Sequence, residues 1–182
     1  MAIKATKASS MAAMLIARRM PSEAPAAAAS TAKEAIKEAT AAAQKWQPDA
    51  VLTHVSTIKG RGDGTADQWL YTYYAPKAKK SAIITAKGKQ IEVEPDVRNT
   101  SIDPLGTDFL DSDKAAEAAA KAGLKFGKSD KGLGLGLTVG NQAVGKPQRF
   151  WSVTVMTDSA MSSVTLNAAD GALIKRDDLK FK

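Results

Sequence analysis

Three pairs of landmarks recur along this chain at nearly constant spacing, and no other feature constrains the fold as strongly. They are a helix-capping residue, a tryptophan that begins an alternating stretch, and a turn glycine. A fixed period shared by landmarks of different structural type is the signature of an internal repeat. The pairs are Thr31 and Asp113, Trp69 and Trp151, and Gly88 and Gly171, with separations of 82, 82 and 83 residues.

The first copy predicts a helix followed by strands. Thr31 and Glu34 form a capping box before helix-favouring residues, and Pro48 predicts that the helix ends near Trp46. Alternating stretches then predict strands, with the glycine-rich loop 60–64 between the first two. These stretches are 51–58, 68–75, 81–85 and 90–94.

The second copy repeats this order. Asp111, Ser112 and Asp113 offer helix caps, and Gly123 predicts the helix end. Strands are predicted at 135–139, 150–157 and 163–167, and the turn at Asp170-Gly171 begins a closing hairpin.

The predicted fold class is α+β, with two tandem helix-plus-antiparallel-sheet (α-β-β-β) repeats and an N-terminal basic helical extension. In each repeat the helix covers the apolar face of a sheet whose other face is polar. The predicted organisation is an N-terminal extension and Pro/Ala linker, a first repeat, an acidic connector and a second repeat. Their boundaries are 1–30, 31–95, 96–110 and 111–182.

The net charge of +7 is concentrated in the first half of the chain. The stretch 68–91 contains five lysines and no acid, whereas 92–113 contains seven acids and one arginine. A solvated lysine face is one interpretation, and a partner-binding surface is the other. The candidate partner-binding residues are Lys77, Lys79, Lys80, Lys87, Lys89, Arg18 and Arg19.

The segment 1–20 has no counterpart in the second copy. It carries four bases, no acid and a short apolar stripe that ends at Arg18 and Arg19. These features favour an amphipathic docking helix over an export signal, whose apolar core is longer, although a processed signal stays open. No stretch of the chain reaches the roughly 18 apolar residues of a membrane-spanning helix.

Three stretches of the second copy resemble PepSY and PepSY-like domains: KAAEAAAKAG, FWSVTV and VTLNAADGALIKRDD. The first copy, with SAIITAKGKQIEVE, lacks the Asp-Gly pair of the hairpin. The resemblance implies a small cystatin-like helix-on-sheet fold found mostly outside the cytoplasm. It also implies a binding role, including inhibition of a peptidase, and brings no catalytic residue.

The residues themselves favour a protein without catalysis, cofactor or metal. His54 is the single histidine and there is no cysteine, so His-His and thiolate metal motifs are excluded. No G-x-S-x-G turn is present, and the glycines of KGLGLGLTVG precede a strand, unlike those of a phosphate loop. Asp111 and Asp113 are interpreted as helix caps, and Arg61-Gly62-Asp63 as a turn.

The aromatic residues Trp69, Tyr71 and Tyr73 share one face of a predicted strand, and two interpretations follow. They are core residues beneath the helix, or they stack on single-stranded nucleic acid beside the basic hairpin Lys77–Lys89. We expect a non-catalytic protein-binding or structural module whose partner is another protein or a second copy. A nucleic-acid-binding module is the alternative, and the compartment stays open, with the resemblance favouring an extracytoplasmic one.

Overall fold

The computed structural model describes residues 28–98, 101–127, 132–140 and 147–181, so the predicted N-terminal helical extension lies outside the described residues. Each half of the described chain contributes one helix and then four strands. In chain order the elements are α1 (Ile36–Trp46), β1 (Val51–Thr57), β2 (Trp69–Ala75), β3 (Lys80–Lys87), β4 (Gln90–Val97), α2 (Ser112–Lys121), β5 (Gly132–Gly140), β6 (Gln148–Met156), β7 (Ala160–Asn167) and β8 (Leu173–Lys180).

All eight strands belong to one antiparallel sheet with the order β4-β3-β2-β1-β5-β6-β7-β8. The predicted fold class of two tandem helix-plus-sheet repeats is therefore wrong. The finding that overturns it is the pairing of β1 with β5, through Val55–Leu137, Ser56–Gly136 and Thr57–Leu135, which we call the seam. The physical reason is that β1 and β5 would each be an exposed, apolar edge strand if the two four-stranded sheets were separate. Pairing them at the seam covers both edges.

One row of side chains crosses the whole sheet on a single face and defines the core. Every member is apolar, and the six central ones are fully buried. Because residues opposite each other in neighbouring strands point to the same face, the row places both halves of the core on one side. From edge to edge the row is Val93, Ile84, Tyr71, Val55, Leu137, Trp151, Leu166 and Leu173.

Both helices cover this face. The alanine-rich sequence of α1 packs on β2, β3 and β4, and that of α2 packs on β6 and β7. The indole of Trp69 donates to the Ser30 carbonyl at 2.9 Å, and the indole of Trp151 donates to the Leu110 carbonyl, also at 2.9 Å. Each tryptophan therefore fixes the backbone shortly before the helix that covers it.

The start of α1 differs from the prediction. The Thr31 amide donates to Glu34 Oε2 at 2.7 Å, but Thr31 Oγ1 is buried without a hydrogen-bond partner among the described residues, so only half of the capping box forms. The Ala32 amide instead donates to Ser112 Oγ and the Lys33 amide to Asp111 Oδ1. These contacts with the start of α2 replace the local cap, and the regular helix begins at Ile36.

Candidate partner-binding surface

The structure places the predicted lysines at both ends of β3. Lys77 and Lys79 lie in the exposed turn that precedes β3, and Lys80 is its first residue. The Lys77 amide donates to the Asp49 carboxylate at 2.9 Å, and Lys80 Nζ contacts Asp96 Oδ2 at 3.0 Å. Asp96 therefore pairs with the charge of Lys80, whereas Asp49 binds the backbone of the turn.

Lys87 ends β3 and Lys89 lies in the following turn, both exposed. The eight residues of β3 separate them from the other three lysines by about 24 Å, at ~3.4 Å per residue. Arg18 and Arg19 lie outside the described residues. The five lysines are close together in the sequence, but in the fold they form two separate basic groups on the surface.

The aromatic residues of β2 form part of the core. Trp69, Tyr71 and Tyr73 are at most 1% exposed beneath α1. The Tyr71 hydroxyl donates to the Ala32 carbonyl at 2.7 Å, and the Tyr73 hydroxyl lies 2.8 Å from Thr40 Oγ1. Core placement was one of the two interpretations of the sequence, and it leaves none of the three rings available to stack on a base.

His54 lies on β1 next to the seam. Burial lowers its pKa, and a hydrogen bond with the Leu137 backbone opposes part of that shift. Its ring also approaches Gly136, where an added Cβ would lie 3.9 Å from His54 Cε1. The single histidine thus contacts both strands of the seam and is neutral near pH 7.

The acidic and glycine-rich motifs have structural roles. Asp63 accepts from the amide and hydroxyl of Thr65, and Arg61 forms an ion pair with Asp67 at 2.7 Å. Gly64 has φ +82° and packs so closely on the start of α2 that a Cβ would collide with its backbone. The predicted turn is therefore a packed loop that supports α2.

The face of the sheet opposite the helices is uncovered by any described element, and we call it the open face. A second row of paired residues crosses it, mostly polar or small, with Gly136 at its centre. This alternation of apolar and polar faces is typical of an antiparallel sheet covered on one side. The row consists of Glu92, Thr85, Leu70, Ser56, Gly136, Ser152, Thr165 and Lys175.

One end of the open face is apolar. Met156 pairs with Met161, and Met161 pairs with Leu179, so these three side chains form a continuous row across β6, β7 and β8. We call them the apolar row; Met156 is 43% exposed and Leu179 53%. Ile58 and Phe181, at 75% and 43% exposed, lie at the same end of the sheet.

The apolar row is not apparent in the sequence. Its members come from three strands, so no single stretch of the chain shows them side by side. Met156 and Met161 do flank a short turn, and cross-strand pairing of such residues is the signal that points to this patch. Adjoining apolar side chains exposed on one surface indicate an interaction site more often than scattered single ones do.

Two negative findings limit the chemistry of the described residues. No group of three or more His, Asp or Glu side chains within these ranges is arranged to hold a metal ion. Among the helices that the structure describes, none is long and apolar enough to cross a membrane.

The fold defines an α+β protein with one antiparallel sheet and two helices on the same face. No known protein family matches the sequence, and no curated protein resembles it significantly. The fold is similar to the crystal structure of a protein described as a "putative lipoprotein" from Clostridium difficile 630, with a TM-score of 0.51. The two chains are 12% identical, and the match covers 79% of this chain and 92% of that one. At this identity the likeness concerns the fold alone.

Proposed function

We propose that the protein is a non-catalytic binding module that holds a partner protein on the open face of its sheet. The observation that carries the proposal is the apolar row, where Met156 and Leu179 are about half exposed and in register with Met161. The unbranched, polarizable side chain of methionine adapts to partners of different shape. A partner that offers an apolar segment fits this surface.

The side chains best able to take part in polar chemistry have structural roles in the fold. The indoles of Trp69 and Trp151 and the hydroxyl of Tyr71 donate to backbone carbonyls, and His54 bonds the backbone across the seam. Groups that are occupied in this way position elements of the fold. A binding role requires no further chemistry from them.

The proposal includes a location outside the cytoplasm. Two features support it: the resemblance of the hairpin VTLNAADGALIKRDD to PepSY-like domains, and the name of the structurally similar protein. The resemblance also extends the proposal to a peptidase as the partner, held in an inhibited state. Burial of the β2 rings argues against the nucleic-acid alternative, since that function needs exposed aromatic faces.

The test compares proteins captured from extracts of the native source by the wild type and by a double variant, Met156→Lys with Leu179→Lys. The new charges oppose burial of the apolar row against a partner. The matched control is Val93→Lys, which alters a residue of similar exposure, 41%, on the distant strand β4.

A partner identified in this way is then purified and its affinity measured. We expect the double variant to bind at least about tenfold more weakly, a loss of ~1.4 kcal/mol, while the control binds like the wild type. Equal binding by all three proteins would exclude the apolar row as the binding surface. Loss of binding only when Lys77, Lys79 and Lys80 are changed would assign it to the lysines instead.

A further inference from the structure

The sheet has two edges, and they differ in how far they allow another strand to pair. Among the described residues no strand covers the outer side of β4 or of β8. An edge strand presents backbone amides and carbonyls that can bind a further strand, and proteins block such edges with proline, bulges and charged side chains. The two edges can therefore be compared feature by feature.

The β4 edge carries all three of these protections. Pro95 lacks an amide donor, and a register shift beside it places Asp96 at φ 58°. The strand Gln90–Val97 contains Glu92, Glu94 and Asp96 and no basic residue. Two β4 strands would therefore repel each other, and the bulge interrupts the ladder that an added strand needs.

The β8 edge is less protected, because its one register shift lies at its start, between Leu173 and Lys175, and its charges are of both signs. It contains no proline, and from Lys175 to Lys180 it pairs with β7 without interruption. Its leucines, Leu173 and Leu179, are 52% and 53% exposed, and Phe181 directly beyond it is 43% exposed. A regular, exposed edge with apolar side chains is the kind of edge to which another strand adds.

The charges of β8 specify which strand fits. Its centre reads Lys175-Arg176-Asp177-Asp178, so the basic half precedes the acidic half. When two copies pair antiparallel about a two-fold axis at Arg176, Lys175 of each copy lies opposite Asp177 of the other on the open face, because opposite residues share a face. The ion pair between Lys175 and Asp177 within one strand, 2.9 Å, can then extend across the two copies. The two Arg176 side chains face each other on the helix side, and each is already paired with Asp178 of its own strand at 2.9 Å.

We infer that β8 is a self-association edge, through which two copies of this chain join their sheets into one sixteen-stranded sheet. The occupant is a second copy because this register brings two Lys175–Asp177 pairs of opposite charge together across the axis. The inference goes beyond the proposed function, since it concerns backbone pairing at the edge of the sheet and not binding on the open face. Leu179 belongs both to the apolar row and to β8, so the test of the edge changes only the charged residues of β8.

A charge-swap experiment tests the inference on the full chain. The acidic variant carries Lys175→Asp and Arg176→Asp, and the basic variant carries Asp177→Lys and Asp178→Lys. Each has four like charges in a row on β8 and is expected to be a monomer, because two such strands repel. The wild type is expected to have twice the chain mass of 19.1 kDa by sedimentation equilibrium in the micromolar range.

Mixing the two variants is the decisive step. The mixture is expected to regain the dimer mass, because the acidic β8 now pairs with the basic β8. Circular dichroism of each variant alone establishes that it is folded, and Lys37→Asp with Lys45→Asp, at two exposed positions of α1, is the matched control that keeps the dimer. The inference would be overturned by a monomeric wild type, by dimers of either swapped variant alone, or by masses that grow beyond two chains. None of these results concerns partner capture by the apolar row.

Discussion

Tyr71 and Tyr73 are the residues at which burial has the clearest energetic consequence. Burial raises the pKa of both hydroxyls above the ordinary value of 10.0, that of Tyr73 to about 12. In the unfolded chain both ionise near pH 10, whereas in the fold they stay protonated. Stability is therefore fully present below pH 10 and is lost as the pH rises from about 10 toward 12, by at most ~1.4 kcal/mol per pH unit for each tyrosine.

We expect the double variant Tyr71→Phe with Tyr73→Phe to lose most of this alkaline dependence. Each phenylalanine also removes a hydrogen bond, at a cost of about 1 kcal/mol, so the slope against pH is compared and not the absolute stability. Urea melts between about pH 8 and pH 11 provide the measurement, with Tyr74→Phe as the control. If the double variant destabilises with pH as steeply as the wild type, the buried hydroxyls are not the cause. Strand alternation predicts that these rings share a face, and burial was one of the two interpretations of that face. Their partners, Ala32 and Thr40, lie more than 30 residues away and could not be predicted.

Among the elements, α2 is the one whose start supports both halves of the chain. Asp111 Oδ1 accepts from the Ser112 amide at 2.7 Å and from the Lys33 amide at 3.0 Å. We expect Asp111→Ala to destabilise the fold by about 1–2 kcal/mol or slightly more, because it removes a helix cap and also leaves the Lys33 amide without its acceptor. Denaturant melts measure the difference.

Asp113→Ala is the matched control, because within the described ranges Asp113 accepts only from the amide of its neighbour Lys114, at an exposed position. If it costs as much as Asp111→Ala, the contact with Lys33 contributes nothing. The sequence identified the cap residues of α2, since capping is a local preference. It could not identify that this cap also serves the segment before α1, because that contact joins residues 78 apart.

For the whole molecule, the seam decides whether the chain unfolds as one unit. The seam comprises three residue pairs, and Leu137 at one end of it is fully buried and pairs with Val55. We expect Leu137→Ala to destabilise by about 2–5 kcal/mol and to lower the stability of both halves equally. Tryptophan fluorescence can report on each half separately. The variant Trp151→Phe retains Trp46 and Trp69 in the first half, and the double variant Trp46→Phe with Trp69→Phe retains Trp151 in the second half.

We first subtract the stability change that each reporter substitution causes by itself. The melts of the two reporter variants are then expected to coincide, both with and without Leu137→Ala. Two separated transitions would indicate halves that unfold independently.

The sequence predicted the order of helix and strands in each half because propensity, caps and turns act locally. It did not predict the single sheet, because no turn joins β1 to β5. The alternation of Gly and Leu in β5 fits the close approach of β1 at the seam, because glycine lets a neighbouring backbone come near.

The seam also orders the events of folding. Six of the seven strand pairings join consecutive strands over connections of 2 to 11 residues, whereas Val55 and Leu137 are 82 positions apart in the chain. Loop-closure entropy rises with the length of chain enclosed, so the local hairpins gain their contacts first and the seam closes late. Until it closes, β1 and β5 are bare edges rich in valine, leucine and glycine, without the charges that protect β4. Refolding at high protein concentration therefore exposes two strands that bind other chains, and aggregation competes with folding at this step.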